Sequence, residues 1–232
     1  MDEIKVLAFD TGGTVLDWHS GIVRALAELA PRRGVERNWH GLVNEYRRRS
    51  LQRMLGAVAP SFNIDDVHRD ILNELLVENG INAFLSDDRQ RIAGAWHELD
   101  AWPDFAPALA RLQQRYVCIS FTILSLSLVI DVSRRNGIHW DAVLPCEMLG
   151  IYKPRAEAYR QVATLIATPP RQILMVACHN FDLDAARAAG YRTAFVHRPA
   201  EWGPEGPPDP VPNPATDLVV AGLAELAARF GQ

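Results

Sequence analysis

Lys5-Val6-Leu7-Ala8-Phe9-Asp10-Thr11-Gly12-Gly13-Thr14 decides the fold of this chain. An apolar run that ends in one carboxylate and breaks at once into two glycines reads as a buried strand of a parallel sheet, followed by a tight turn. Asp10 then stands at the carboxyl end of the strand, the edge where open α/β sheets place their ligands. A carboxylate taken out of water there is costly unless a partner is supplied. The glycines free the chain to turn sharply and to bring backbone N–H groups close to a small anion.

Outward from this run, five further segments read as strands: residues 116–122, 142–144, 173–177, 193–196 and 217–220. Helical patterns lie between most of them. Residues 125–136 run to Gly137, 155–166 stop before Pro169-Pro170, and 182–189 run to Gly190. Residues 217–230 read as a closing strand and helix. Strands alternating with helices predict a parallel sheet of βαβ units, hence an α/β, Rossmann-like core. The long stretch between the first and second strands carries only helical patterns, at 21–29, 40–55, 64–78 and 86–98. It reads as an inserted helical cap over residues 17–99, with the core formed by 1–16 and 100–232. A cap over the sheet edge excludes water and closes on substrate. Seven prolines between Pro199 and Pro214 predict a stiff, extended surface loop.

Composition narrows the function. The 232 residues are 48% apolar and carry a net charge of -4 with no basic tract, which argues against a nucleic-acid partner. Cys118, Cys146 and Cys178 are far apart and form no framework, which points to a reducing compartment. The acidic opening Met1-Asp2-Glu3 is unlike a signal peptide, and no apolar run is long enough to span a membrane. The expectation is a soluble cytoplasmic protein.

Four chemistry-bearing elements recur at strand ends: Asp10 with Gly13-Thr14, Thr122, Lys153 before Pro154, and Asp182 within His179-Asn180-Phe181-Asp182. A nucleophilic carboxylate needs a cation to keep it ionised, which Lys153 can supply. The Thr122 hydroxyl can hold a substrate oxygen, and Asp182 can fix Lys153 and assist a water. The histidines lack metal-ligand spacing, so no metal and no cofactor is expected.

These motifs resemble the haloacid dehalogenase superfamily, and within it the 2-haloacid dehalogenase (type II) branch. The resemblance rests on Phe9-Asp10-x-x-Gly13-Thr14 leading into Leu16-Asp17-Trp18, on Leu99-Asp100-Ala101-Trp102-Pro103-Asp104, on Gly150-Ile151-Tyr152-Lys153-Pro154, and on His179-Asn180-x-Asp182 followed by Ala185-Ala186-Arg187. It implies that Asp10 attacks C2 of a small 2-substituted carboxylic acid, and that water hydrolyses the resulting ester at the Asp10 carboxyl carbon. It further implies that Thr14 braces the nucleophile loop, and that Thr122 binds the substrate carboxylate together with backbone N–H groups near Thr11 and Gly12. Arg47, in Tyr46-Arg47, matches the branch's substrate-binding arginine. Asn180 and Phe181 stand beside the site, and His179 joins Asp182 in placing the hydrolytic water. Dimers are common in the branch, which makes a homodimer an expectation.

The chain also departs from that pattern. Gly12 stands where the branch carries an aromatic residue, and Ile123 where it carries an asparagine of the halide cradle. The leaving group is therefore left open between a halide and the ring amine of azetidine-2-carboxylate, whose opening would give 4-amino-2-hydroxybutanoate. A phosphatase of the same superfamily needs acids where this chain has Gly12 and Cys178, and magnesium does not accept a thiol in place of a carboxylate. A catalytically silent binding protein is the remaining reading.

Overall fold

A computed structural model describes residues 3–231. In chain order the elements are β1 (Val6–Phe9), α1 (Trp18–Leu29), α2 (His40–Met54), α3 (Ile64–Glu78), α4 (Ser86–Gly94), α5 (Phe105–Leu112), β2 (Val117–Thr122), α6 (Leu126–Asn136), β3 (Ala142–Pro145), α7 (Cys146–Leu149), α8 (Ala156–Leu165), β4 (Ile173–Ala177), α9 (Asn180–Ala188), β5 (Arg192–Val196), β6 (Leu218–Val220) and α10 (Leu223–Phe230).

All six strands pair in parallel, in the order β3-β2-β1-β4-β5-β6. β1 and β4 are buried along their whole length, as strands covered on both faces must be. The chain passes from β3 to β4 across β1, so the sheet's direction of winding reverses between β1 and β4. Asp10 leaves one strand at this switch point and Cys178-His179 leaves the other.

The expected helices form with local adjustments. Ser125 is an N-cap, its side chain accepting from Leu128 N at 3.1 Å, so α6 begins one residue later than the pattern predicts. The helix read over 86–98 ends at Gly94 and tightens into a 3-10 turn, Ala95–Glu98. α5 and the short α7 were not among the expected elements. α3 opens on a capping box in which the Asn63 side chain accepts from Asp66 N and Asp66 accepts from Asn63 N.

Helices α1 to α4 lie between β1 and α5 in the chain and pack on one another. The two chain crossings into and out of this helical unit run side by side. Leu16 and Ala101 form an antiparallel bridge, Asp17 N donates to Asp100 O at 3.0 Å, and Trp102 N donates to Val15 O at 2.8 Å. After α2 the segment 56–59 pairs with the loop before α8. Gly56 N donates to Lys153 O (2.7 Å), Tyr152 N to Ala57 O (2.9 Å) and Ala59 N to Gly150 O (2.6 Å). Among the described residues, no helix is long and apolar enough to cross a membrane.

Candidate active site

The β1 turn places Asp10 at the centre of a buried polar cluster. Gly13 takes a left-handed φ of +93°, and the turn is braced from outside by Trp102 Nε1 donating to Gly13 O (2.7 Å) and Arg198 Nε donating to Thr14 O (2.9 Å). Asp10 is only 6% exposed. Its Oδ2 accepts from Thr14 Oγ1 at 3.0 Å and lies 3.1 Å from His179 Nδ1, while Oδ1 faces Lys153 Nζ at 3.4 Å. Burial pushes this carboxyl up, but Lys153, His179 and Thr14 together hold it well below the usual carboxylate range.

Lys153 is carried in by the loop that pairs with segment 56–59. Its ammonium lies 2.7 Å from Asp182 Oδ2 and 4.4 Å from the centre of the Phe121 ring. Burial opposes its charge, yet the two carboxylates raise it above its ordinary value. Asp182 comes from the first turn of α9, and its other oxygen accepts from Tyr159 Oη at 2.5 Å. Burial and the nearby Asp10 raise Asp182, with Lys153 opposing. Tyr159, on α8, is a member of this cluster that the sequence motifs did not single out.

His179 sits between two carboxylates. Nδ1 faces Asp10 Oδ2, and Nε2 faces Glu201 Oε1 at 2.9 Å. Glu201 is 1% exposed and also accepts from Trp18 Nε1 at 3.0 Å. Burial disfavours the imidazolium, but Cys178, Glu201 and Asp10 raise His179 well above its usual value. Glu201 itself, despite burial, is held below its ordinary range by His179, Trp18 and Arg47. Sequence reasoning missed Glu201 because it took residues 199–214 as surface loop; the structure instead buries Glu201 and Trp202 against α1 and α2. The available signal was an acid placed shortly after the carboxyl end of β5.

Of the three consecutive arginines on α2, Arg47 alone is buried, at 2% exposure, whereas Arg48 pairs with Glu205 and Arg49 with Glu45 and Glu78 at the surface. The Arg47 guanidinium lies 5.6 and 5.5 Å from the ring centres of Trp18 and Trp96. Its Nε and Nη1 have no hydrogen-bond partner among the described residues. A Cβ built on Gly12 would stand 3.0 Å from Arg47 Nη2, so the missing side chain at Gly12 is the space that this guanidinium approaches.

The other expected site residues are placed as follows. Thr11 Oγ1 is 2.8 Å from Ser120 Oγ, and Thr122 is buried with its Oγ1 accepting from Leu124 N at 3.1 Å. Ile123 is 7% exposed beside them in the β2 loop. Phe181 stacks on the His179 ring at 5.4 Å. Both ends of the Asn180 amide are engaged by the proline-rich loop, Nδ2 donating to Val211 O and Oδ1 accepting from Asn213 N. Cys178 is buried, its thiol pushed up to about 11 by burial above all.

Cys178, His179 and Glu201 bring donor atoms within 4.8 Å of one another, a grouping that sequence spacing alone could not reveal and one able to hold an ion. In the structure both His179 nitrogens are instead turned to carboxylates, and the Cys178 thiol donates to Glu201 Oε2 at 3.5 Å.

Comparison with known proteins gives a consistent result. A family model described as haloacid dehalogenase-like hydrolase matches residues 4–190. An (S)-2-haloacid dehalogenase of Pseudomonas putida is 26% identical over 205 residues, covering 85% of this chain and 86% of the relative. A defluorinating L-2-haloacid dehalogenase of known structure superposes with a TM-score of 0.91 at 32% identity, over 99% of this chain and 96% of that one. A second L-2-haloacid dehalogenase gives 0.89 at 31% identity, over 98% of each chain.

Proposed function

Because this chain belongs to the haloacid dehalogenase-like hydrolases, we propose that it hydrolyses small (S)-2-haloacids without a metal ion, through an ester on Asp10. The observation that carries this reading is the buried Asp10–Lys153–Asp182 chain, with one cation shared by two carboxylates and the unpartnered Arg47 alongside. In the first step Asp10 attacks C2, the carbon–halogen bond breaks, and the halide leaves with the bonding pair while C2 inverts. Lys153 keeps Asp10 ionised without covering it, since the 3.4 Å contact is looser than the 2.7 Å contact to Asp182. Arg47, buried and with Nε and Nη1 lacking a protein acceptor among the described residues, is suited to the charge of the substrate or of the departing anion. Thr122, with backbone N–H groups near Thr11 and Gly12, holds the substrate carboxylate. In the second step water adds to the Asp10 carboxyl carbon, Asp182 takes its proton, and the 2-hydroxy acid departs.

A buried guanidinium disfavours an ammonium leaving group, so a halide is the better match than a strained ring amine. The test is incubation with (S)-2-chloropropanoate and fluoroacetate in excess EDTA, following free halide. Wild type is expected to release halide and Asp10→Asn none. Activity that vanishes in EDTA and returns with magnesium would overturn the metal-independent reading. Ring opening of L-azetidine-2-carboxylate without any halide release would overturn the choice of leaving group.

A further inference from the structure

The two oxygens of Asp10 are held differently. Among the described residues, Oδ1 has one hydrogen-bond contact, with Lys153 Nζ at 3.4 Å. Oδ2 has two partners, Thr14 Oγ1 at 3.0 Å and His179 Nδ1 at 3.1 Å. Thr14 accepts from Cys178 N at 3.0 Å, and its one hydroxyl proton goes to the charged Oδ2 at 3.0 Å rather than to the weaker and more distant acceptor Cys178 Sγ at 3.4 Å. His179 lies between Oδ2 and Glu201 Oε1, and ionised carboxylates only accept hydrogen bonds. Both contacts are hydrogen bonds only if both ring nitrogens carry protons, that is, if the ring is an imidazolium. Trp18 Nε1 and the Cys178 thiol donate to Glu201 and fix it as the acceptor.

We propose that His179, locked as a cation by Glu201, forms with Thr14 an oxyanion hole for Asp10 Oδ2 during hydrolysis of the covalent ester. The inference rests on the ester mechanism above. Oδ1, the freer oxygen, forms the bond to C2. Oδ2 is then the ester carbonyl oxygen. Water adds to the Asp10 carboxyl carbon, the carbonyl π pair moves onto Oδ2, and one water proton goes to Asp182. When the pair returns, the bond between the carboxyl carbon and Oδ1 breaks, and the substrate alkoxide leaves and takes the proton held by Asp182. The remaining acid on Asp10 ionises and releases its proton. Oδ2 thus gains negative charge beside an imidazolium that is already in place, which is how preorganised donors lower such barriers. His179 supplies at this oxygen the positive charge that a metal ion would otherwise bring. Glu201 touches neither substrate nor Asp10, and is a positioning residue for the imidazolium. Its seat is built into the turn, because a Cβ on Gly13 would fall 2.1 Å from Glu201 Oε1. The burial of Glu201 and the raised affinity of His179 for its second proton agree with this assignment.

The role of a cationic donor is opposite in pH dependence to that of a general base. A base needs neutral imidazole and works better as pH rises, whereas the oxyanion hole needs imidazolium and fails as pH rises. The experiment is rapid-quench turnover of (S)-2-chloropropanoate in EDTA by wild type, His179→Gln and Glu201→Gln, with halide release and intact-protein mass recorded across pH, and folding checked by thermal melts. His179→Gln is expected to release one equivalent of halide in a burst and then slow by about 100-fold or more in turnover, with the alkyl-enzyme accumulating. Glu201→Gln is expected to lose its hydrolysis step at a lower pH than wild type, because the imidazolium has lost its counter-charge. Full turnover by folded His179→Gln with no adduct would overturn the proposal alone, as would a hydrolysis rate in wild type that rises with pH through the His179 transition. Absence of both halide release and adduct in wild type would overturn the underlying reading, and this one with it.

Discussion

Gly13 shows how much one residue carries in this site. Its φ of +93° lies in the left-handed region that other residues avoid, and the volume its missing side chain leaves is filled by the Glu201 carboxylate. Gly13→Ala is expected to cost about 2 kcal/mol from backbone strain and to push Glu201 from His179. A urea unfolding curve would read the stability loss, and turnover should fall with it; unchanged stability and turnover would show that the turn relaxes without disturbing Glu201. Arg47 makes the complementary point. The resemblance pointed to Arg47 among three arginines in a row, and helix geometry turns Arg47 alone toward Trp18 and Trp96. The reach of Glu201 into the site was illegible: an acid among prolines reads as solvated, and only the path of the loop under α2 buries it.

Between elements, two of the ties that join the helical unit to the rest of the chain, besides the paired crossings, bear on the site and on stability. Segment 56–59 hydrogen-bonds the loop that delivers Lys153, so the helical stretch and the loop carrying the cation are held to one another. The second tie is His97, after α4, whose Nδ1 is 2.7 Å from Asp131 on α6 and whose Nε2 is 3.5 Å from Asp65 on α3. Asp65 in turn accepts from Ser125 Oγ at 2.6 Å. The Asp65 and Asp131 carboxylates raise His97 from 6.5 to about 9. A group raised in the folded state adds stability below its unfolded value and loses it as pH climbs through the folded one. The stability difference between wild type and His97→Gln should therefore shrink as pH rises from 6.5 to about 9, as thermal melts would register. A difference that is flat across that window would remove His97 as a charged tie. The strands and most helices that make these contacts were legible as sequence periods, down to the limits of β4 and α3. The contacts themselves were not, because each joins residues distant in the chain.

At the scale of the whole molecule, a buried charged cluster at the sheet's switch point must be balanced for the fold to survive. Asp10 is held low by its partners, so its contribution is present above its unfolded value of 3.8 and is lost as pH falls below it. Lys153→Met removes the cation that Asp10 and Asp182 share. Breaking such a buried pair is expected to cost about 3–5 kcal/mol and to abolish halide release. Burial and mutual repulsion then raise the carboxyls, so the variant should gain stability as pH is lowered from about 8 to about 5. Stability of Lys153→Met that instead falls steadily with pH over this range would refute that balance. The sequence by itself determined the alternation of strands and helices, the inserted helical stretch, and the carboxylate and lysine at strand ends. These are properties of local period, glycine turns and the cost of burying an unpaired charge, each written within a few adjacent residues. Only the tertiary structure decided that Glu201 closes on His179, that Tyr159 holds Asp182, that Arg47 rather than its neighbours turns inward, and that Asp10 offers two unequal oxygens. Those depend on the packing of loops from separate strands against the helical unit, and no local pattern encodes a distance between them.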